Sequence, residues 1–348
     1  LGPIESAVYA GRGYGTAYSA RALDHVKALG GNWVSLTPFG RVAHLQPAGI
    51  SFTFDAPLAT NRAALARTVE QAHARGLRVL LVPHLWVESG EWRGDIGFAK
   101  ASEWQRWSQA YEAFVLEWAA LARDTGIELF AVGVELRRWV TGPEAWRFVE
   151  LIRRVRRVYP GLITYASNWD DVDDAAVLGE LDVIGINAFY PLSQRSGARL
   201  RELASGGERA RERARKLAEL WQKPILFTEF GYTTRKDCGV KPWEWPEHLS
   251  GVESDERSQA DAYAALMTPM LREPWFAGAF VWRYYSDLND VTQEPDWGFS
   301  PRGKLAESVL TELFAQRWAG DGAAFWPSLN VSEEDLLDFG LSKRSPEL

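Results

Sequence analysis

Leu129-Phe-Ala-Val-Gly-Val-Glu135-Leu136 decides how this chain is read. Six uncharged residues form a run too short for a helix, and the run ends on a carboxylate. Before it, Ala101–Thr125 has helical periodicity; after it, Gly142–Tyr159 does too and stops at Pro160-Gly161. A short, continuously apolar strand between two amphipathic helices is the signature of a parallel strand covered on both faces.

The same alternation extends outward to both ends. Strands are expected at Ser6–Ala10, Asn32–Pro38, Arg78–Pro83, Leu129–Glu135, Leu162–Ser167, Val183–Phe189, Ile225–Glu229 and Ala277–Trp282. Helices are expected at Ala20–Leu29, Asn61–Arg75, Ala101–Thr125, Gly142–Tyr159, Val172–Gly179, Arg199–Gln222, Ser258–Arg272 and Lys304–Trp318. Eight strand–helix units in succession imply an α/β protein built as a single-domain (β/α)8 TIM barrel over residues 1–320. The polar stretch 321–348 is expected to pack on the barrel as a tail or to fray from it. A doubly wound sheet is the rival. Gly11-Arg-Gly-Tyr-Gly15 follows the first strand, but it lacks the Gly-x-Gly-x-x-Gly spacing that cradles a dinucleotide.

Composition narrows the function classes. A net charge of -7 argues against a nucleic-acid surface. No apolar run reaches the roughly 20 residues that cross a bilayer. Cys238 is alone, so neither an internal disulfide nor a cysteine metal site is expected. His25, His44, His73, His84 and His248 lack close ligand spacing, so no metal is expected. No Gly-x-Ser-x-Gly elbow appears. The 17 tryptophans are an unusual load. Trp86, Trp92, Trp139, Trp169, Trp243 and Trp245 lie in polar, loop-like surroundings, where an exposed indole offers a flat apolar face to a sugar ring.

In a barrel of this kind the active site lies at the C-terminal ends of the strands. That rule gathers His84 and Trp86, then Glu135, Asn168, Trp169, Asn187 and Tyr190, and finally Glu229, Tyr232, Trp282 and Arg283. Glu229 closes Pro224-Ile-Leu-Phe-Thr-Glu229-Phe-Gly-Tyr232 as Glu135 closes its own run. A carboxylate at the end of a buried strand is costly unless it is paired or used. Two of them, on strands four and seven, suggest the paired carboxyl groups of a glycosidase. The bland alternative pairs each with an arginine, and Arg41, Arg137, Arg138 and Arg283 are candidates. Trp86 to Asp95 and Lys241 to Pro246, the latter carrying Trp243 and Trp245, read as cleft-wall loops.

These residues resemble glycoside hydrolase family 113. The resemblance runs from about Gly31 to Ala306 and includes Trp92-Arg93-Gly94, Val132-Gly-Val-Glu135-Leu136, Leu162-Ile-Thr-Tyr165-Ala-Ser-Asn168-Trp169-Asp170, Asp182-Val-Ile-Gly-Ile-Asn187-Ala-Phe-Tyr190-Pro-Leu192, Lys223-Pro-Ile-Leu-Phe-Thr-Glu229-Phe-Gly-Tyr232 and Gly278-Ala-Phe-Val-Trp282. It implies a retaining endo-β-1,4-mannanase without a cofactor, with Glu135 as acid/base and Glu229 as nucleophile. The substrate contacts expected from the strand ends, the Trp-bearing loops and these stretches are His84, Trp86, Trp92, Arg93, Asn168, Trp169, Asn187, Tyr190, Tyr232, Trp243 and Trp282. One departure stands out: the wider clan usually places Asn before the acid/base glutamate, and this chain has Val134. Asn168 or Asn187 is the expected replacement.

Two other readings fit the same residues. One keeps the mechanism but cuts another β-linked polymer, a glucan or an amino-sugar glycan of the cell wall. The other binds carbohydrate without turnover. The expected partner in each case is an oligo- or polysaccharide. An enzyme that degrades a polymer has to meet it, so a secreted or bacterial cell-envelope location is expected over a cytoplasmic one. Leu1 in place of Met is compatible with loss of a leader or lipid anchor.

Overall fold

The structure is a computed structural model that describes residues 11–53, 56–287 and 295–315. The expected strand Ser6–Ala10, the end of the last expected helix and the tail 321–348 lie outside the described residues.

The order along the chain is α1 (Ala17–Ala28), β1 (Trp33–Leu36), β2 (Phe39–Val42), α2 (Leu58–His73), β3 (Arg78–Leu81), β4 (His84–Val87), α3 (Ala101–Thr125), β5 (Leu129–Val134), α4 (Arg137–Val140), α5 (Ala145–Val158), β6 (Leu162–Asn168), β7 (Ile184–Asn187), α6 (Leu200–Trp221), β8 (Ile225–Phe230), α7 (Glu256–Met270), β9 (Phe276–Val281) and α8 (Leu305–Phe314). Seven strands form one sheet in the order β1-β3-β5-β6-β7-β8-β9. It is a nearly closed parallel barrel with helices, as the sequence pattern implies.

Its interior is one apolar cluster of Leu80, Val82, Leu129, Ala131, Val134, Ala166, Val183 and Leu226, with Trp33 and Phe280 packed against it. Trp33 belongs to β1 and Phe280 to β9, the two ends of the sheet order. Their rings meet edge to face at 6.5 Å, so the sheet curls back on itself.

The helices form for local reasons. In α3 the buried residues Trp104, Trp107, Tyr111, Phe114, Val115 and Trp118 recur every three or four positions and make one apolar stripe. The helix starts where Glu103 accepts from the Lys100 N–H and ends at Gly126, whose φ of 69° is left-handed. Trp139 joins that stripe rather than a loop: it is 1% exposed and packs with Trp104, Trp107, Tyr111 and Phe148. A four-residue helix after β5 turns it inward, which a polar-looking sequence context does not reveal. The expected helix Val172–Gly179 is instead two 3-10 turns, at Val172–Asp174 and Leu178–Glu180.

A small parallel sheet of β2 and β4 was not expected from the sequence. It pairs Phe39 with His84 and Val42 with Val87. These strands are four-residue continuations of β1 and β3 beyond Pro38 and Pro83, too short to carry an alternation of their own.

Two compact units are distinguishable. One draws on Leu1–Ala188, Leu217–Phe230 and Ala277–Asp290 and contains the barrel strands. The other draws on Phe189–Lys216, Gly231–Phe276 and Val291–Leu348, and its described part contains α7 and α8. Among the described residues no helix is long and apolar enough to cross a membrane.

Candidate active site

The strand register brings a row of polar side chains to one end of the barrel. Asn168 pairs with Asn187 across β6 and β7, and Asn187 pairs with Glu229 across β7 and β8. Glu135 follows β5 directly, and its N–H donates to the Ala166 carbonyl on β6. These are C-terminal strand ends, where barrel enzymes build their sites.

Glu135 adopts a φ of 50°, an uncommon conformation for a residue with a Cβ. Its neighbours over-determine that turn. The Leu136 N–H donates to the Tyr165 hydroxyl at 2.7 Å, and Arg137 starts α4. Gly133 lets β5 sit close to its cover: a Cβ there would lie 2.7 Å from Tyr111 Oη and 3.0 Å from Phe148 Cζ.

Three N–H donors converge on the Glu135 carboxylate. Trp92 Nε1 and Arg93 Nη1 both donate to Oε2, at 2.9 and 2.8 Å. Asn187 Nδ2 donates to Oε1 at 2.9 Å. The carbonyl of the Asn187 amide accepts from Thr228 Oγ1 at 2.8 Å, which fixes the amide orientation. Asn187 also stands in register with Glu229 on β8.

Burial first, and then the negative Glu135, push the Glu229 carboxyl well above the usual carboxylate range, against the opposing pull of Arg93 and Asn187. His84 Nε2 lies 3.2 Å from Glu229 Oε1. Burial, aided by the positive Arg93, holds the imidazole well below its usual pKa, so the contact is a hydrogen bond between a neutral ring and the carboxyl group rather than an ion pair. His84 is stacked with Trp282 at 6.2 Å and 23° and tilted against Phe39 at 5.2 Å. Trp282 directly follows β9, and its N–H donates to the Phe230 carbonyl.

The remaining expected residues fall in different places. Trp86 stands on β4, 48% exposed and edge-on to Phe39. Asn168 caps its own turn: its N–H donates to Asp171, and its amide oxygen accepts from the Trp169 N–H. Trp169 is half-buried. Tyr232 is fully buried, and its hydroxyl donates to the Tyr190 carbonyl; both belong to the second unit. Trp243 and Trp245 of that unit are 45% and 37% exposed, on a stretch held by buried Arg235, which donates to Glu244 and the Lys241 carbonyl.

The arginine on Glu135 is Arg93, not one of the four that the sequence suggested. Of those, Arg41 pairs with Glu88, Arg137 pairs with Asp170 and Asp171, and Arg283 lies over the Tyr285 ring. Thr228 and Asp171 escaped the sequence reading altogether. The inward alternation of β8 could have flagged Thr228; nothing local flags Asp171.

A paired-carboxyl site at the C-terminal ends of a parallel barrel defines a glycosidase-like enzyme. The model of Glycoside Hydrolase Family 113 matches residues 7–304, and the chain belongs to that family. It is thus a glycoside hydrolase of β-glycosidase type. Among solved structures, a family 113 β-mannanase from Alicyclobacillus acidocaldarius, in complex with ManMIm, is 28% identical with a TM-score of 0.75 and covers 90% of this chain and 94% of its own. A family 113 β-1,4-mannanase at 23% identity, with a TM-score of 0.75, covers 87% and 94%. A β-D-glucuronidase from Dictyoglomus thermophilum shares the fold at 17% identity and a TM-score of 0.57, over 89% of this chain and 48% of its own. No curated protein matches the sequence.

Proposed function

We propose that this glycoside hydrolase is a retaining, endo-acting β-1,4-mannanase in which Glu229 is the nucleophile and Glu135 the acid/base. The observation that supports the mechanism is Asn187, which donates to Glu135 and stands in register with Glu229 on the next strand, so that both carboxyl groups lie at the same end of the barrel. The substrate class rests on the 28% identical β-mannanase, with which this chain shares nearly its whole length.

In the first step a Glu229 oxygen bonds to the anomeric carbon as the C–O bond to the leaving sugar breaks. Glu135 gives its proton to that oxygen. In the second step Glu135 takes a proton from water, the water oxygen bonds to the anomeric carbon, and the Glu229 ester bond breaks. Two inversions leave the configuration unchanged. His84, hydrogen-bonded to Glu229, orients the nucleophile, and Trp282 offers its indole as a floor for the sugar. A secreted or cell-envelope location goes with a polymeric substrate, and fractionation of the source cells tests it.

The test is incubation with mannohexaose, with products read by mass spectrometry and the early anomer ratio by NMR. Short products that first appear as the β-anomer support the reading. An early α-anomer overturns retention, and cleavage of cello- or chito-oligosaccharides instead overturns the substrate. Glu229→Ala should abolish turnover while the protein stays folded.

A further inference from the structure

Outside the two carboxylates, one cluster of charged groups lies within reach of the site. Arg137, two residues beyond Glu135, donates from Nε to Asp171 Oδ2 at 2.7 Å and from Nη2 to Asp170. Asp171 is nearly buried, with a side chain 8% exposed, and its other oxygen accepts from the Asn168 N–H. The clamped guanidinium has its Cζ 4.6 Å from the centroid of the Trp92 ring. Trp92 in turn donates its indole N–H to Glu135 Oε2.

The other support of that ring is Gly94. A Cβ at position 94 would fall 2.3 Å from both Cη2 and Cζ3 of Trp92, so the indole folds onto bare backbone there. A cation over an indole face is attracted by the ring quadrupole. It also draws electron density from the ring, which makes the N–H a stronger donor. Arg137 itself makes no hydrogen bond to Glu135 among the described contacts; it reaches that carboxylate through Trp92.

We propose that Arg137 is a positioning residue for the hydrolytic reaction: clamped by Asp170 and Asp171, it holds the Trp92 indole so that its N–H is presented to Glu135. The inference rests on the reading of Glu135 as a catalytic carboxylate. The geometry explains why two adjacent aspartates follow β6 and why α4 begins with an arginine. The aspartates fix the cation, the cation fixes the ring, and the ring fixes one oxygen of the carboxylate.

A double-mutant cycle on mannohexaose hydrolysis, combined with NMR of the indole N–H groups, tests this. The Trp92 resonance is assigned by its loss in Trp92→Phe. Arg137→Ala should lower kcat about tenfold with KM within about twofold, and should move the Trp92 indole proton upfield as its hydrogen bond weakens. Arg137→Lys, which keeps a cation over the ring, should recover part of both. Added to Trp92→Phe, Arg137→Ala should cost little more. An unmoved Trp92 resonance in Arg137→Ala overturns the proposal. So does a full tenfold loss that persists in the Trp92→Phe background. Full activity of Glu135→Gln would instead bring down the catalytic reading of Glu135, which the resonance measurement does not depend on.

Discussion

Asn187→Ala removes a side chain that donates to Glu135 from a position in register with Glu229. Asn187 is fully buried, donates to Glu135 at 2.9 Å and accepts from Thr228 at 2.8 Å. A hydrogen bond to a charged group contributes about 1.5–3 kcal/mol. At about 1.4 kcal/mol per tenfold in rate, losing it in the transition state lowers kcat/KM by about 10- to 150-fold. The deletion also leaves the hydroxyl of Thr228, which is 2% exposed, without its acceptor. An orphaned buried group costs about 1–3 kcal/mol. With an unfolding entropy of about 2.1 cal/mol/K per residue over 348 residues, Tm should fall by about 1–4 °C. The assay is steady-state hydrolysis of mannohexaose beside calorimetric unfolding of the same preparation. Asn168→Ala is the comparison and should lose less, because the Asn168 amide oxygen serves its own turn. A kcat/KM within twofold of the parent would refute the argument, whatever Tm does, since Asn187 would then be only a packing residue.

Four further outcomes follow from the same geometry. Glu229→Gln should raise Tm at pH 8 and lose that advantage toward pH 4, read by calorimetry across pH: a carboxyl whose pKa is raised by folding supports the fold below the ordinary carboxylate range, and that support is lost as pH rises through the folded value. Arg93→Met should move the acid limb of kcat/KM to higher pH, because the positive Arg93 favours the ionised form of Glu229; a limb that stays or falls contradicts this. Trp139→Ala should cost about 3–5 kcal/mol, or about 4–7 °C in Tm, by opening the cluster with Trp104, Trp107, Tyr111 and Phe148; a change below about 1 °C would return Trp139 to the loop that its sequence context suggests. Gly94→Ala should lower kcat by forcing the Trp92 ring off its seat, measurable together with the displaced indole resonance.

The barrel was legible because each strand such as Leu129–Val134 carries its own apolar run and each helix its own period. Ala101–Thr125 was placed to the residue for that reason. The row Asn168, Asn187 and Glu229 was legible as strand-end chemistry, since topology alone sends strand ends to one face. Partner choice was not legible. Arg93 and Arg137 look alike in sequence, and only the fold puts the first on Glu135 and the second on Asp170 and Asp171. Trp139 failed for a related reason: its polar neighbours describe the outside of a single helical turn, while the indole points in. Val134 in place of an asparagine was visible, but its meaning was not. Val134 packs in the barrel cluster, and the amide on Glu135 comes from Asn187, two strands away in the sheet order.

The charge arrangement constrains how the proposed cycle starts. The first step needs a proton on Glu135 and a negative Glu229. In the described arrangement the three N–H donors on Glu135 suit an acceptor-only carboxylate, while burial favours the neutral form of Glu229. Two neighbouring buried carboxyl groups do not readily both ionise, and the negative Glu135 is one cause of the raised Glu229 pKa. Substrate binding then has to do more than place the glycosidic bond: it has to weaken the donors on Glu135 so that the proton favours that side. Trp92 and Arg93 share one oxygen, Oε2, and the strained turn at Glu135 holds the carboxyl against them. A sugar hydroxyl that accepts from Arg93 releases half of that hold without moving the backbone. Specificity and protonation are then joined at one guanidinium, and Arg93→Met separates them: it should shift the acid limb and also blunt discrimination between sugars that differ at that hydroxyl.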